Sequence, residues 1–196
     1  MSLTVAAIVE GYGEVKALPL LLRNLATWKT PDIYPNILEP IRVQKDRFLN
    51  KDSEFFRHLT LAKNKCGDDG LVLILLDADD ACPAKRGTEI LRRASEYLQH
   101  QRVSVVLANR EYEAWFIAAA RSLDGKRGFS LGSADIVDAE KPRDAKGWIE
   151  KHMGGKSYDP VLDQPAFSAM MDLQQAFDRS RSFRKLCSEW DKQVRS

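Results

Sequence analysis

The distribution of apolar and polar positions predicts strands alternating with amphipathic helices over about the first 120 residues. Six consecutive apolar residues, 71–76, follow Gly70 and run directly into the acidic stretch 77–80. A short, continuous apolar run of this kind is typical of a strand buried on both faces of a parallel sheet. The runs at 3–9 and 103–108 predict two further strands, and 41–43 predicts a short one.

Helical spacing of apolar residues fills the intervals between these strands and continues to the C-terminus. The predicted helices span 14–28, 52–66, 83–101, 109–120, 163–178 and 183–194. Because parallel strands require crossovers of this length, the alternation predicts an α/β fold with a mostly parallel sheet of about four strands flanked by helices. We expect an α/β core at 1–121 and a mainly helical C-terminal extension at 122–196 that packs on it.

Composition places the chain among ordinary soluble proteins. Its 196 residues are 44% hydrophobic and 30% charged, and the formal charge of +2 neither requires nor excludes a nucleic-acid partner. The three cysteines match no zinc pattern, and together with the lack of a signal peptide they favour a reducing cytoplasm. No apolar stretch approaches the length of a membrane span, so we expect a cytoplasmic protein with no membrane partner.

Acidic residues follow three of the predicted strands. They are Glu10 and Glu14, then Asp77, Asp79 and Asp80, and finally Glu111 and Glu113. The carboxyl ends of parallel strands form one edge of the sheet, where ligands bind. Two carboxylates about 4 Å apart repel by roughly 4 kcal/mol at an effective dielectric constant near 20, so we expect a cation among them. Oxygen ligands suit Mg²⁺, Mn²⁺ or Ca²⁺, although acids at such positions also cap helices or lie in solvent.

Basic residues near this edge suggest a phosphate-binding surface. The candidates for phosphate contact are Arg110, Arg127, Arg143 and Lys146, with Trp148 among them. A basic groove with an aromatic side chain is typical of proteins that bind nucleic acid. The alternative is a charged surface in solvent with Trp148 in the core.

Two motifs in this order resemble a known family. The stretch Val9–Glu14 ends a strand with a glutamate followed by glycine, and Leu76–Asp80 ends another with Asp-x-Asp. This combination resembles the Toprim domains of topoisomerases, primases and overcoming-lysogenization-defect nucleases, and Glu14 resembles the nuclease branch. The segments Glu113–Phe116 and Ser180–Phe183 resemble a small bacterial Toprim-like family of unknown function.

The resemblance implies a Rossmann-like fold and a role for each matching acid. Asp77 and Asp79 would bind Mg²⁺ or Mn²⁺, Glu10 would be a general acid–base and metal ligand, and Glu14 would join a first or second metal. The expected activity is divalent-metal-dependent phosphodiester chemistry on nucleic acid, as in a nuclease. Two alternatives stay open: a non-enzymatic metal- or protein-binding module of a defence or repair complex, and a small-phosphate hydrolase. A large basic surface favours nucleic acid, whereas a small closed pocket favours the hydrolase.

Overall fold

The computed structural model describes residues 3–132, 135 and 137–194, and within them the strands form one parallel sheet. The strands are β1 (Thr4–Val9), β2 (Asn36–Ile37), β3 (Ile41–Arg42), β4 (Leu71–Asp77) and β5 (Arg102–Ala108). The order across the sheet is β2-β1-β4-β5. β2 pairs with the start of β1, and β3 pairs with the end of β1. The predicted α/β class with a parallel sheet is confirmed.

Helices flank the sheet and form most of the C-terminal part. They are α1 (Tyr12–Lys29), α2 (Lys45–Asn50), α3 (Asp52–Cys66), α4 (Pro83–Tyr97), α5 (Ala114–Ala118), α6 (Ala120–Leu123), α7 (Ala145–Lys151), α8 (Pro160–Met170), α9 (Leu173–Arg179) and α10 (Arg181–Val194). The predicted helix at 163–178 is two helices, because the backbone leaves the helix after Met170 and Asp172 caps α9 through the amide of Gln175. The predicted helix at 83–101 ends at Tyr97, and His100 adopts a left-handed φ of 67°.

The central strand β4 is buried on both faces, as its apolar run predicts. Leu71, Leu73 and Leu75 belong to one half of the core, and the alternate side chains belong to the other. The register pairs Leu73 with Ser104 and Leu76 with Leu107 in parallel β5. β4 and β5 are therefore adjacent parallel strands.

C-terminal helices pack on both the helical layer and the edge of the sheet. Gly13 of α1 lies so close to α8 that an added Cβ would be 2.2 Å from Gln164 Oε1 and 2.5 Å from the carbonyl oxygen of Pro160. Along β5, the Ser104 hydroxyl donates a 2.6 Å hydrogen bond to Glu189 of α10. The division at residue 121 stays a prediction.

The order in which strands are added to the sheet reverses at β1, and this reversal positions the site. From β1 the chain crosses through α1 to β2 on one side, and it later returns to β4 on the other side of β1. Ligands of open parallel sheets bind beyond the carboxyl ends of the strands at such a switch point. Here those ends carry Glu10 and Asp77. No helix formed by the described residues is both long and apolar enough to cross a membrane.

Candidate acidic site at the carboxyl ends of the strands

Seven acidic side chains follow the carboxyl ends of β1, β4 and β5, and we name this set the acidic rim. Its members are Glu10, Glu14, Asp77, Asp79, Asp80, Glu111 and Glu113. Two lysines, Lys45 and Lys146, each contact acids that follow different strands.

Lys45, the first residue of α2, joins the acids that follow β1 and β4. Its Nζ lies 3.3 Å from Glu10 Oε2, forms an ion pair with Asp79, and donates a 3.2 Å hydrogen bond to the carbonyl oxygen of Asp77. The Lys45 side chain is only 14% exposed, so this ammonium group is largely removed from water. Burial opposes a rise in the Lys45 pKa, but the hydrogen bond to Asp79 and the charge of Glu10 raise it overall.

Lys146 of α7 joins the acids that follow β4 and β5. Its Nζ lies 2.9 Å from Glu111 Oε1, 3.7 Å from Glu113 Oε2 and 3.8 Å from Asp77 Oδ2. Its backbone amide also donates a 3.0 Å hydrogen bond to Glu111. Despite burial, the charges of Glu113 and Asp77 raise the Lys146 pKa, so the side chain stays cationic at neutral pH.

Asp77 is the most strongly perturbed acid of the rim. Its Oδ1 accepts a 2.8 Å hydrogen bond from the backbone amide of Tyr112. Burial raises the pKa of Asp77 well above its ordinary value; the charge of Glu14 adds to the rise and Lys146 opposes it. The pKa of Glu10 is also raised, mainly by burial and against the opposing charge of Lys45. Perturbed carboxyls of this kind are concentrated at functional sites.

Glu113 is a fully buried member of the acidic rim. Its Oε1 accepts hydrogen bonds from the Tyr158 hydroxyl at 3.0 Å and from Gln164 Nε2 at 2.9 Å. Its Oε2 has no hydrogen-bond partner among the described residues and faces Lys146 at 3.7 Å. Burial raises the pKa of Glu113, and Lys146 opposes the rise. An unsatisfied buried carboxylate oxygen is costly and needs a functional or structural reason.

The loops after β4 and β5 hold each other in an uncommon backbone conformation. Asp79 and Arg110 have φ values of 49° and 68°, and the Asp79 amide donates a 2.9 Å hydrogen bond to the Arg110 carbonyl oxygen. Positive φ is uncommon for residues other than glycine, and such strain is concentrated at functional sites.

Glu14, in the first turn of α1, is buried and its carboxylate accepts a hydrogen bond from the Gly11 amide.

Each base predicted to contact phosphate is paired with an acid in this structure. Arg110 and Arg143 both bind Asp80, at 2.5 and 2.7 Å, and the hydrogen bond from Arg143 lowers the pKa of Asp80. Lys146 binds Glu111 as described above. Arg127 lies apart from the acidic rim, 2.8 Å from buried Asp163 of α8.

Trp148 follows the second of its two predicted alternatives. It is partly buried against the hydrophobic core and stacks on His152 at a centroid distance of 4.0 Å. An extended basic groove with Trp148 as a stacking platform is therefore not the arrangement found here.

The rim has the donor chemistry for a hard divalent cation, but lysines lie among its donors. Among the described residues, no three His, Cys, Asp or Glu side chains are placed to hold one metal ion together. Lys45 links Glu10 with Asp79, whereas the carboxylate of Asp77 is turned towards Tyr112 and Lys146. The carboxylates of Glu10 and Asp79 thus share Lys45, the carboxylate of Asp77 pairs with Lys146, and the three do not converge on one point. The all-oxygen donor set still suits Mg²⁺ or Mn²⁺, because each ammonium group stands where a cation satisfies the same carboxylates.

Sequence reasoning missed three side chains that contact the rim acids, those of Lys45, Tyr158 and Gln164. Lys45 lies two positions after the predicted strand 41–43. Its position just after a strand end could therefore have placed it at the same edge of the sheet as the acids. Tyr158 and Gln164 give no such signal, since they reach Glu113 only through the packing of the segment around α8.

A cavity of about 160 Å³ adjoins the rim on the side of α2 and α4. Its polar lining includes Lys45, Asp77, Asp79 and Arg86. With Asp46, the lining holds three acids and two bases, and both bases are paired with acids.

Fold and site together define a parallel α/β domain with an acidic site at the switch point of its sheet. The chain belongs to the family described as Domain of unknown function (DUF4276), whose model matches residues 9–190 and thus includes the whole acidic rim. No curated protein and no solved structure matches the chain.

Proposed function

We propose that the acidic rim holds Mg²⁺ or Mn²⁺ and that the protein hydrolyses phosphodiester bonds in nucleic acid. One observation carries the proposal: Glu10 and Asp77 end neighbouring parallel strands at the switch point, and burial raises the pKa of both. The resemblance of 9–14 and 76–80 to the Toprim motifs supports the same assignment.

The residues that would hold the ion are Glu10, Glu14, Asp77 and Asp79. When bound, a divalent ion neutralises charge on the attacking and leaving oxygens of a phosphoryl transfer. Among the protein's own groups, Glu10 is suited to take a proton from the attacking water, since its raised pKa is closer to neutral pH. Lys146 stays protonated, and to bind a phosphate oxygen it would exchange its carboxylate partner Glu111 for that oxygen.

A second candidate, hydrolysis of small phosphate compounds, is favoured by two features of the same edge. The 160 Å³ cavity places Lys45 and Arg86 beside Asp77 and Asp79. The bases expected to bind a nucleic-acid backbone are also already paired with acids. The two candidates use the same acids and differ in the size of the substrate.

The test is hydrolysis by purified protein of single- and double-stranded DNA and RNA, and of p-nitrophenyl phosphate, with Mg²⁺, Mn²⁺ or chelator. Glu10→Gln should keep the fold and lose cleavage by about 10²–10⁴-fold, because an amide cannot accept the proton. Glu96→Gln, at a 62% exposed side chain of α4, is the matched control and should cleave as the wild type does.

Four results would contradict the nuclease proposal. Cleavage in chelator, or cleavage undiminished in Glu10→Gln, would place the activity elsewhere. Metal-dependent hydrolysis of p-nitrophenyl phosphate alone would support the small-phosphate candidate. Absence of hydrolysis of every substrate would favour the binding-module alternative.

A further inference from the structure

A second and larger cavity lies outside the acidic rim, between α4, β5 and the start of α10. Its volume is about 420 Å³, which lies within the range typical of small-molecule sites. Apolar side chains form much of its lining, including Pro83 and Leu91 of α4 and Val105 and Leu107 of β5. It therefore offers an apolar surface that the side chains of the described residues leave uncovered.

The charges at this cavity favour an anion. Arg181 lines it, is exposed, and forms no hydrogen bond or ion pair with any described residue. Lys185 also lines it and pairs with Glu189. The acidic side chain in the lining, Glu140, accepts hydrogen bonds from Asn109 at 3.0 Å and from the Ser180 hydroxyl and Ser182 amide at 2.9 Å. These uncharged donors satisfy the oxygens of Glu140 and leave it negative, so the lining carries two positive side chains, Arg181 and Lys185, and one negative one. Among the described residues, Arg181 has no ion-pair partner.

Gly87 provides independent support, because packing does not explain a glycine there. It lies within α4, where glycine is less favourable than alanine by about 1 kcal/mol. Within the part of the chain that the structure describes, a Cβ at this position would meet no atom closer than Leu107 Cγ at 4.0 Å, so no group there excludes a side chain. Glycine in such a place permits close approach of a ligand to the backbone.

The start of α4 adds positive potential at the same cavity. No acidic residue lies in its first turn, and its N-cap, Cys82, lines the cavity. The backbone amides of Lys85 and Ala84 lower the pKa of the exposed Cys82 thiol, as expected at a helix N-terminus.

We infer that this cavity binds a small organic anion, with its apolar body against Leu91, Val105 and Leu107 and its anionic group paired with Arg181. The inference does not depend on the metal chemistry proposed for the acidic rim. The ligand class is a carboxylate, sulfonate or phosphate ester that carries an aromatic or aliphatic group.

Two fluorescent probes with the same ring system test the inference. 1-Anilinonaphthalene-8-sulfonate carries the anionic group, and N-phenyl-1-naphthylamine lacks it. The sulfonate should bind about 10- to 150-fold more tightly, the factor expected for a hydrogen bond to a charged group. Arg181→Gln should remove most of this preference and leave the neutral probe's affinity unchanged. Arg92→Gln, at an exposed arginine of α4, is the control and should change neither affinity.

Filling the cavity localises the binding. Gly87→Leu should abolish binding of both probes, whereas Gly87→Ala, which adds one methyl group to open space, should keep most of it. Melting temperatures at or above the wild-type value confirm that both variants fold. Saturating sulfonate should also slow alkylation of Cys82 by iodoacetamide, as measured by mass spectrometry. Equal affinities for the two probes, or sulfonate binding unchanged in both Arg181→Gln and Gly87→Leu, would overturn the inference.

Discussion

Replacing Asp77 with asparagine should make the protein more stable at neutral pH, although it removes an ion-pair partner of Lys146. Asparagine keeps the oxygen that accepts the 2.8 Å hydrogen bond from the Tyr112 amide. The attraction lost is that between Asp77 Oδ2 and Lys146 Nζ, 3.8 Å apart. Coulomb's law gives it as about 4 kcal/mol at an effective dielectric constant near 20. Lys146 retains Glu111 at 2.9 Å, so its own charge stays paired.

The opposing contributions are larger, as the direction of the Asp77 pKa shows. Burial and the nearby charges of Glu14, Glu113 and Glu10 outweigh Lys146 and raise this pKa, so the folded protein disfavours the charged form. Each tenfold increase in proton affinity over the unfolded chain corresponds to about 1.4 kcal/mol of stability lost when the group ionises. For a chain of this length, 1 kcal/mol changes the melting temperature by about 2–4 °C. We therefore expect Asp77→Asn to melt at least about 2 °C above the wild type near pH 7.

The pH dependence gives the sign an independent check. Below the ordinary aspartate pKa, Asp77 is protonated in both the folded and the unfolded chain, so the variant has little advantage. As the pH rises through the ordinary value and then the raised folded value, the wild type loses stability that Asp77→Asn keeps. The assay is thermal unfolding by circular dichroism in chelator, between about pH 4 and about pH 7.5. Asp68→Asn, at a 91% exposed side chain, is the control. The reasoning would be refuted by a variant that is less stable than the wild type at neutral pH. It would also be refuted if the variant's melting temperature exceeded that of the wild type by the same amount at both pH values.

Two further predictions concern Lys45 and two helical glycines. Lys45→Met should lower the melting temperature in chelator, because Glu10 and Asp79 lose their counter-ion. Mn²⁺ should then raise the melting temperature of this variant more than that of the wild type, as measured by differential scanning fluorimetry. An equal Mn²⁺ effect in both proteins would contradict the idea that the ammonium group stands in for a metal. Gly13→Ala should destabilise by about 1–3 kcal/mol in urea denaturation, because its Cβ would lie 2.2 Å from Gln164 Oε1, whereas Gly87→Ala should stabilise by up to about 1 kcal/mol. Equal effects of the two alanines would show that the close approach of α1 and α8 is not what requires Gly13.

The sheet was predictable because its signals are local. The run 71–76 is apolar at every position, so burial on both faces followed from the sequence and is found in β4. The placement of Glu10 and Asp77 at the same edge of the sheet followed from the parallel topology, and that their two strands are neighbours is seen only in the structure. The short helix α2 was not predictable in the same way: only Phe48 of its six residues is buried, so it has no apolar stripe.

The sequence did not predict which charged and polar side chains contact one another. Arg127 and Asp163 are 36 positions apart, and Glu113 meets Tyr158 and Gln164 across 45 and 51 positions. These partners are set by how the C-terminal helices pack on the sheet, which periodicity does not specify. The break between α8 and α9 was missed because apolar residues continue at helical spacing across it, although Asp172 is a recognisable N-cap.

The most direct test of the proposed metal site is Mn²⁺ binding measured by electron paramagnetic resonance, in which bound Mn²⁺ loses the signal of the free aqueous ion. Wild-type protein should bind Mn²⁺, and Asp77→Asn should bind it at least about tenfold more weakly, since a neutral amide replaces a charged ligand. Asp68→Asn should bind as the wild type does. Equal Mn²⁺ affinity in wild type and Asp77→Asn, or no binding by the wild type, would contradict the assignment of the acidic rim as a metal site.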